Sequence, residues 1–341
     1  MKVFWDDIQL THTPQFFLQR GHVRRNFEVP ARAEALLASC QAMGLQITAP
    51  PPADLTAIAA VHARDYLDFL RDGPAAWEAK DDHGPELIPN LHPTPEMLAQ
   101  GAMPSSTIVG QIGWFVADTS CPISSTTWAA SLAAAAGAIA AADAVSQGAH
   151  AYALARPPGH HAYGARAGGH CYLNNAAIAA QRLRANGALR VAVLDIDSHH
   201  GNGTQGIFWD RADVFFASIH GDPNGYYPWY IGHAGERGSG AGLGCNLNIP
   251  MTKGSGDADW LAAINHALAA IKGFGADALV ISLGFDASHD EPLRYLSVTQ
   301  DGFARAGAAI AAAGLKCALV QEGGYNTELI GHLLQRFLLE F

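Results

Sequence analysis

The stretch Arg190–Gln205, RVAVLDIDSHHGNGTQ, joins an unbroken apolar run to a cluster of metal-binding side chains. A short run with no polar alternation is a strand buried on both faces, and strands buried this way belong to parallel sheets covered by helices. Ligands of such sheets bind outside the carboxyl ends of the strands. The placement of Asp195, Asp197, His199 and His200 at the end of RVAVL therefore predicts a site there. The other apolar runs end alike: AYALA (151–155) leads to RPPGHHAY, ALVISLG (278–284) to FDASHDEP, and CALVQ (317–321) to EGGY.

Working outward, MKVFWDD reads as a short first strand. Pro30 opens a helix that Gly44 ends. DLTAIAAVHARDYLDFLRDG is a second amphipathic helical region. From about Gly73 to about Thr126 the chain is rich in Pro, Gly, Ser and Thr and reads as one long functional loop. Further helices are expected near Trp128–Ser146, Asn175–Ala185, Ala258–Lys272 and Thr299–Ala313, with a last one ending near Glu340. DVFFASIH and CNLNIP are further strands. The expectation is a single α/β domain over residues 1–341, a central mostly parallel sheet with helices on both faces.

The 341 residues are 49% hydrophobic and 15% charged, enough for a sizeable core. The net charge of −10 argues against a nucleic-acid partner held by a basic face and weakly favours a cationic substrate. The five cysteines, Cys40, Cys121, Cys171, Cys245 and Cys317, form no CxxC pair and fit a reducing, cytoplasmic compartment. The N-terminal stretch carries no secretory signal pattern. The Ala-rich run 129–142 is too short for a membrane span and reads as a core helix.

Asp197 and His199 sit two apart at one strand end, and Asp286 ends another. Two carboxylates and an imidazole suit zinc, with a fourth position left for water or substrate. A lone D-x-H is more often a turn or a helix cap. The second acidic strand end and the His160–His161 pair turn the reading toward a metal. Adjacent imidazoles beside a metal can take a proton from water and return one to a leaving amine. Asp195 is read as a histidine partner, a monovalent-cation ligand or a buried aspartate satisfied by backbone N–H groups. Tyr325, after two glycines, can stabilise charge on a substrate oxygen. Cys171 reads as a small buried thiol rather than a nucleophile.

RPPGHHA, GGHCYLNNAAIAA, LDIDSHHGNGTQ, LGFDASHDEPL and EGGYN, together with VPARAEAL and AVHARDYLDFL, resemble the zinc-dependent histone deacetylase family, in particular its bacterial acetylpolyamine amidohydrolases. The resemblance implies an arginase/deacetylase-like fold and removal of an acyl group, most often acetyl, from an N-acylated amine. It makes Asp197, His199 and Asp286 the zinc ligands, His161 the general base and acid, and His160 its electrostatic partner. Asp195 would pair with His160 and also bind potassium, joined by Ser218 and by carbonyls of Asp197, His199 and Ile219. Asn202 would steady His161, and Tyr325 would polarise the scissile carbonyl. Gly169, His170, Tyr227 and Leu293 would line the substrate channel, and Arg32 an inner channel.

Several positions depart from the family pattern. Ser198 replaces a bulky apolar residue and is expected to loosen packing behind the site. His170 stands where an aromatic channel wall is usual. Val109 and Ser120 stand where polyamine enzymes carry glutamates, with Asp118 and Glu96 as candidate substitutes. The segment from about 84 to 119 resembles the insertion through which such enzymes dimerise, so a homodimer is expected. Two other functions compete with this reading. A binuclear arginase- or agmatinase-like ureohydrolase needs a second acid where Gly201 and Ser288 stand. A silent acyl-amine-binding module would have lost a ligand or the tyrosine, and neither is lost.

Overall fold

The computed structural model describes residues 1–341. In chain order the elements are β1 (Lys2–Phe4), β2 (Phe16–Gln19), β3 (His22–Arg25), α1 (Pro30–Ala42), β4 (Gln46–Thr48), α2 (Leu55–Ala59), α3 (Arg64–Glu78), α4 (Pro95–Ala99), α5 (Ile108–Phe115), α6 (Thr127–Ser146), β5 (Ala151–Ala153), α7 (Asn175–Ala185), β6 (Val191–Asp195), α8 (Asn202–Phe208), β7 (Val214–Gly221), β8 (Asn246–Met251), α9 (Asp257–Phe274), β9 (Ala278–Leu283), α10 (Gln300–Ala311), β10 (Cys317–Gln321) and α11 (Ile330–Phe337). Eight strands form one sheet in the order β4-β1-β5-β10-β9-β6-β7-β8. Every pairing in it is parallel. β2 and β3 form a separate antiparallel hairpin.

Strand alternation divides the core. On β6, Val191 and Val193 face one side with the alanines of α6 and α7, while Ala192 and Leu194 face the other with Trp260, Ile264, Phe303 and Phe337 of α9, α10 and α11. The small alanines of α6 let it lie close against α7 and β5. At twenty residues α6 is longer than its alanine run and apolar enough to cross a membrane, yet most of it is buried within the fold.

The long loop expected from residue 73 to 126 is more structured than its composition indicates. α3 runs through Gly73 and Pro74 to Glu78, because Tyr66, Leu67, Phe69 and Leu70 on its inner face are buried. The segment from 84 to 119 contains α4 and α5, and Leu87, Ile112, Phe115 and Val116 join Phe69 and Leu70 in a third apolar cluster. The helical region from 54 to 73 breaks at Ala63, which is extended. Beside the break, the buried His62 ring accepts the Asn174 N–H at 2.9 Å, just before α7.

Candidate active site

β6, β9, β10 and β5 lie close together in the sheet and end on the same edge, so their following loops converge. Asp197, His199 and Asp286 meet there, fully or almost fully buried. His199 Nδ1 lies 2.8 Å from Asp286 Oδ2 and 3.2 Å from Asp197 Oδ1. One ligand atom from each residue lies within 4.8 Å of the other two. The two measured separations are close to the roughly 3.3 Å edge of a tetrahedron with bonds of about 2.0–2.1 Å, so the donor set fits a zinc-sized ion. Its charge fits as well. Burial works against a proton on His199, but Asp286 and then Asp197 outweigh it and raise the imidazole to about 9. A pocket that draws positive charge this strongly suits a divalent cation.

Backbone donors hold the carboxylates. Asp197 Oδ2 accepts Gly323 N–H at 2.8 Å and its Oδ1 accepts His199 N–H at 2.8 Å. Asp286 Oδ1 accepts Ser198 N–H at 2.7 Å. Gly323 is required by this close approach, since a Cβ there would lie 2.5 Å from Asp197 Oδ2 and 2.6 Å from Asp286 Oδ2. Ser198 does not loosen the packing. It is fully buried, and its hydroxyl reaches the Tyr226 hydroxyl at 3.2 Å.

The tandem histidines stand beside the trio with ring centroids 4.0 Å apart. His160 Nδ1 donates to Asp195 Oδ2 at 2.9 Å, and His161 Nδ1 donates to Asn202 Oδ1 at 2.6 Å. Their environments push them apart. Burial disfavours charge on His160, but Asp195 and Asp197 overcome it and raise the group well above its ordinary value. Burial, then the neighbouring His160 and His199, drive His161 well below. His161 is thus neutral, with Nε2 as an available base.

Tyr325 is half-buried, and Arg32 Cζ sits 4.9 Å above its ring. Burial raises its hydroxyl well above the usual range, so it stays a donor. Arg32 is buried and reaches Glu28 Oε1 at 2.9 Å, the Glu322 carbonyl at 2.6 Å and the Gly324 carbonyl.

Gly169 and His170 both have left-handed backbone, with φ of +53° and +68°. His170 packs edge-on to Phe17 at 5.6 Å and Tyr325 at 6.2 Å. Tyr227 lies edge-on to His161 at 4.9 Å. Leu293 is half-buried nearby, its carbonyl accepting the Tyr226 hydroxyl at 3.4 Å. Ser218 and Ile219 lie on β7, where Ser218 registers opposite Asp195. The Ser218 hydroxyl is engaged with His220 Nδ1 at 2.8 Å.

Of the candidate acids in the insertion, Asp118 reaches Gly169 and Tyr227, and Glu96 does not. Asp118 Oδ2 accepts the Tyr227 hydroxyl at 2.6 Å and the Gly169 N–H at 3.1 Å. Glu96 is exposed on α4 and Val109 is exposed on α5. The half-buried Ser120 donates its N–H to Asp118 Oδ1 at 2.8 Å.

Three neighbours escaped the sequence reading. Tyr226 stacks on His199 at 4.4 Å and 17°; its only sequence signal is the adjacent pair of tyrosines. Glu322 braces the histidine loop, accepting Gly159 N–H at 2.7 Å and His160 N–H at 3.1 Å. Glu291 accepts the N–H groups of Tyr325 and Asn326. His200, outside the metal trio, bonds Gln205 Oε1 at 3.0 Å and packs on His220 at 4.5 Å.

A buried carboxylate–imidazole trio with a neutral imidazole beside it suits metal-assisted hydrolysis. The profile of the histone deacetylase domain matches residues 26–340. Acetylpolyamine amidohydrolase of Burkholderia pseudomallei is 46% identical over 330 residues, 96% of this chain and 95% of that protein. Acetylpolyamine amidohydrolase 1 of Pseudomonas aeruginosa is 43% identical over 333 residues, 97% of this chain and 95% of that one. The crystal structure of acetylpolyamine aminohydrolase from Burkholderia pseudomallei superposes with a TM-score of 0.95 at 44% identity, covering 100% of this chain and 98% of that one. The HD domain of HDA15 superposes at 0.80 with 28% identity, covering 99% and 90%. This chain belongs to the histone deacetylase family. It is an amide-hydrolysing deacetylase of a metal-dependent family.

Proposed function

We propose that this protein is a zinc-dependent deacetylase of slender acetylated polyamines. The convergence of Asp197, His199 and Asp286 beside the neutral His161 carries the reading. A zinc ion held by those three residues would acidify a water and polarise a carbonyl oxygen. His161 Nε2 takes the proton of the attacking water, while Asn202 on its Nδ1 keeps the tautomer in place. Tyr325 donates its hydroxyl to the carbonyl oxygen as charge develops there. His161 then returns the proton to the departing amine nitrogen, and His160, charged against Asp195, supplies fixed positive potential next to it. The Gly169 carbonyl accepts the substrate amide N–H.

The names of the two relatives favour a polyamine substrate. So do the net charge of −10 and the Asp118 carboxylate beside Tyr227, which suits a distal ammonium group. A structural potassium ion beside Asp195 and Ser218 and a cytoplasmic location belong to the same proposal, the latter supported by five free thiols. A homodimer through the insertion is supported by the exposed apolar side chains Leu91, Met97, Leu98 and Met103. Neither nucleic acid nor membrane is part of the proposal. A second catalytic ion is disfavoured at Gly201, where a Cβ would lie 2.1 Å from Asp195 Oδ2, leaving no space for a ligating side chain.

The test is turnover on protein loaded with one zinc per chain, compared across acetylated diamines, triamines and acetyl-lysine peptides. Chelator-sensitive hydrolysis with kcat/KM highest for the amines is expected. Equal or better turnover of peptides would reject the polyamine assignment, and chelator-insensitive or absent hydrolysis would reject the mechanism.

A further inference from the structure

Tyr325 must hold its phenol over the scissile carbonyl, yet it follows Gly323 and Gly324, the latter at a φ of +113°. Backbone this permissive does not fix a side chain by itself. The phenol hydroxyl makes no hydrogen bond within the protein, so the position of the ring depends on how its backbone is tied. The carbonyl side of the turn is tied by a cation, since Arg32 bonds the Glu322 and Gly324 carbonyls. The N–H side is tied by an anion. Glu291 Oε1 and Oε2 lie 3.0 and 2.9 Å from Tyr325 N, and Oε1 lies 3.1 Å from Asn326 N.

Glu291 is 4% exposed, and it has no side-chain cation as a direct partner. Hydrogen bonds to backbone N–H groups are strengthened in a low-dielectric setting, and here they are almost out of water. Its loop also supplies the Leu293 carbonyl to Tyr226, which stacks on His199, and the Asp290 carbonyl to Asn326 Nδ2 at 3.0 Å. One loop after β9 therefore reaches both the tyrosine turn and the ring stacked on His199.

We propose that Glu291 is the positioning residue for Tyr325, acting on catalysis through the tyrosine backbone without touching substrate. The proposal rests on Tyr325 serving as the carbonyl-polarising donor described above. Glu291→Ala is expected to lower kcat by roughly ten- to a hundredfold with KM within about threefold, because the interaction strengthens only as charge develops. Glu291→Gln, which retains a neutral acceptor, should recover part of that loss and guards against a misfolded alanine variant.

A double-mutant cycle makes the test specific. In a Tyr325→Phe background, Glu291→Gln should cost almost nothing further, because the group it positions has gone. Independent, multiplicative losses would overturn the proposal, as would a Glu291→Ala enzyme within twofold of wild-type kcat. Hydrogen exchange reads the same contact without turnover. Glu291→Gln should speed exchange at the Tyr325 and Asn326 amides and leave the amides of 197–202 protected. Unchanged exchange at 325–326 would reject the clamp. Wild-type protein lacking chelator-sensitive amidase activity would instead reject the function, while the exchange data still decide whether Glu291 holds the turn.

Discussion

Tyr325 and His161 divide the work of the proposed reaction, and each depends on a neighbour far away in sequence. Removing only the phenol oxygen tests the division. Tyr325→Phe should lower kcat by about 10²–10³-fold, the range for loss of one donor to a developing oxyanion. Zinc content by plasma emission should stay at one per chain, because the tyrosine is outside the ligand trio. A variant that also loses its metal would make Tyr325 part of the ion's support rather than a donor to substrate. The ligand trio and the tandem histidines were legible in sequence because each ends an apolar run, and parallel sheets put those ends together. Tyr226 and Glu291, and the groups that Asp118 meets, were not. Their contacts run across 28 to 109 residues and depend on how loops fold back, which no local pattern encodes.

At the scale of elements, the turn after β10 places a glycine backbone against two buried carboxylates. Gly323→Ala would push a methyl group into Asp197 Oδ2 and Asp286 Oδ2. The carboxylates must then move apart, and the N–H bond to Asp197 is strained with them. Zinc affinity measured by competition with a chelator should fall at least about tenfold, as for loss of a ligand's outer support. Unchanged affinity would show that the loops yield without disturbing the donors. The elements themselves were read unevenly. The apolar strands and the long helices α1, α6, α7, α9 and α10 lie within a few positions of the sequence expectation. α3 was cut short at Gly73 and Pro74, because local breakers signal a stop even where a buried face carries the helix onward. The β2–β3 hairpin was missed because β3 is exposed along its whole length and has no apolar alternation to detect.

For the whole molecule, the buried ionisable groups link stability to pH in opposing directions. His12 and His62 are both lowered to about 4, chiefly by burial, and so are neutral in the fold. Each contributes stability that is fully present above an unfolded value near 6.5 and lost as pH falls through about 4. The slope is up to about 1.4 kcal/mol per pH unit for each group across that window. Glu291 and Glu322, raised to about 7 mainly by burial, work the other way and favour the fold as pH falls. The net profile therefore hides each contribution, and a difference between variants reveals it. Urea unfolding of wild type and His62→Gln at pH 7.5 and pH 5 should show the variant losing less stability on acidification, by about 1–2 kcal/mol. Parallel losses would mean that His62 is protonated in the fold or that the loop opens to admit the proton.

Asp118 ties the molecule together in another respect. Its carboxylate joins the Gly169 backbone to the Tyr227 hydroxyl, so a side chain just beyond α5 ties together two loops that meet beside the histidine pair. The same segment carries the apolar side chains Leu91, Met97, Leu98 and Met103 on its outer surface. The placement of these two loops is thereby set by the outer segment rather than by the strands that lead to Asp197 and Asp286, and that segment can change while the strand ends stay as they are.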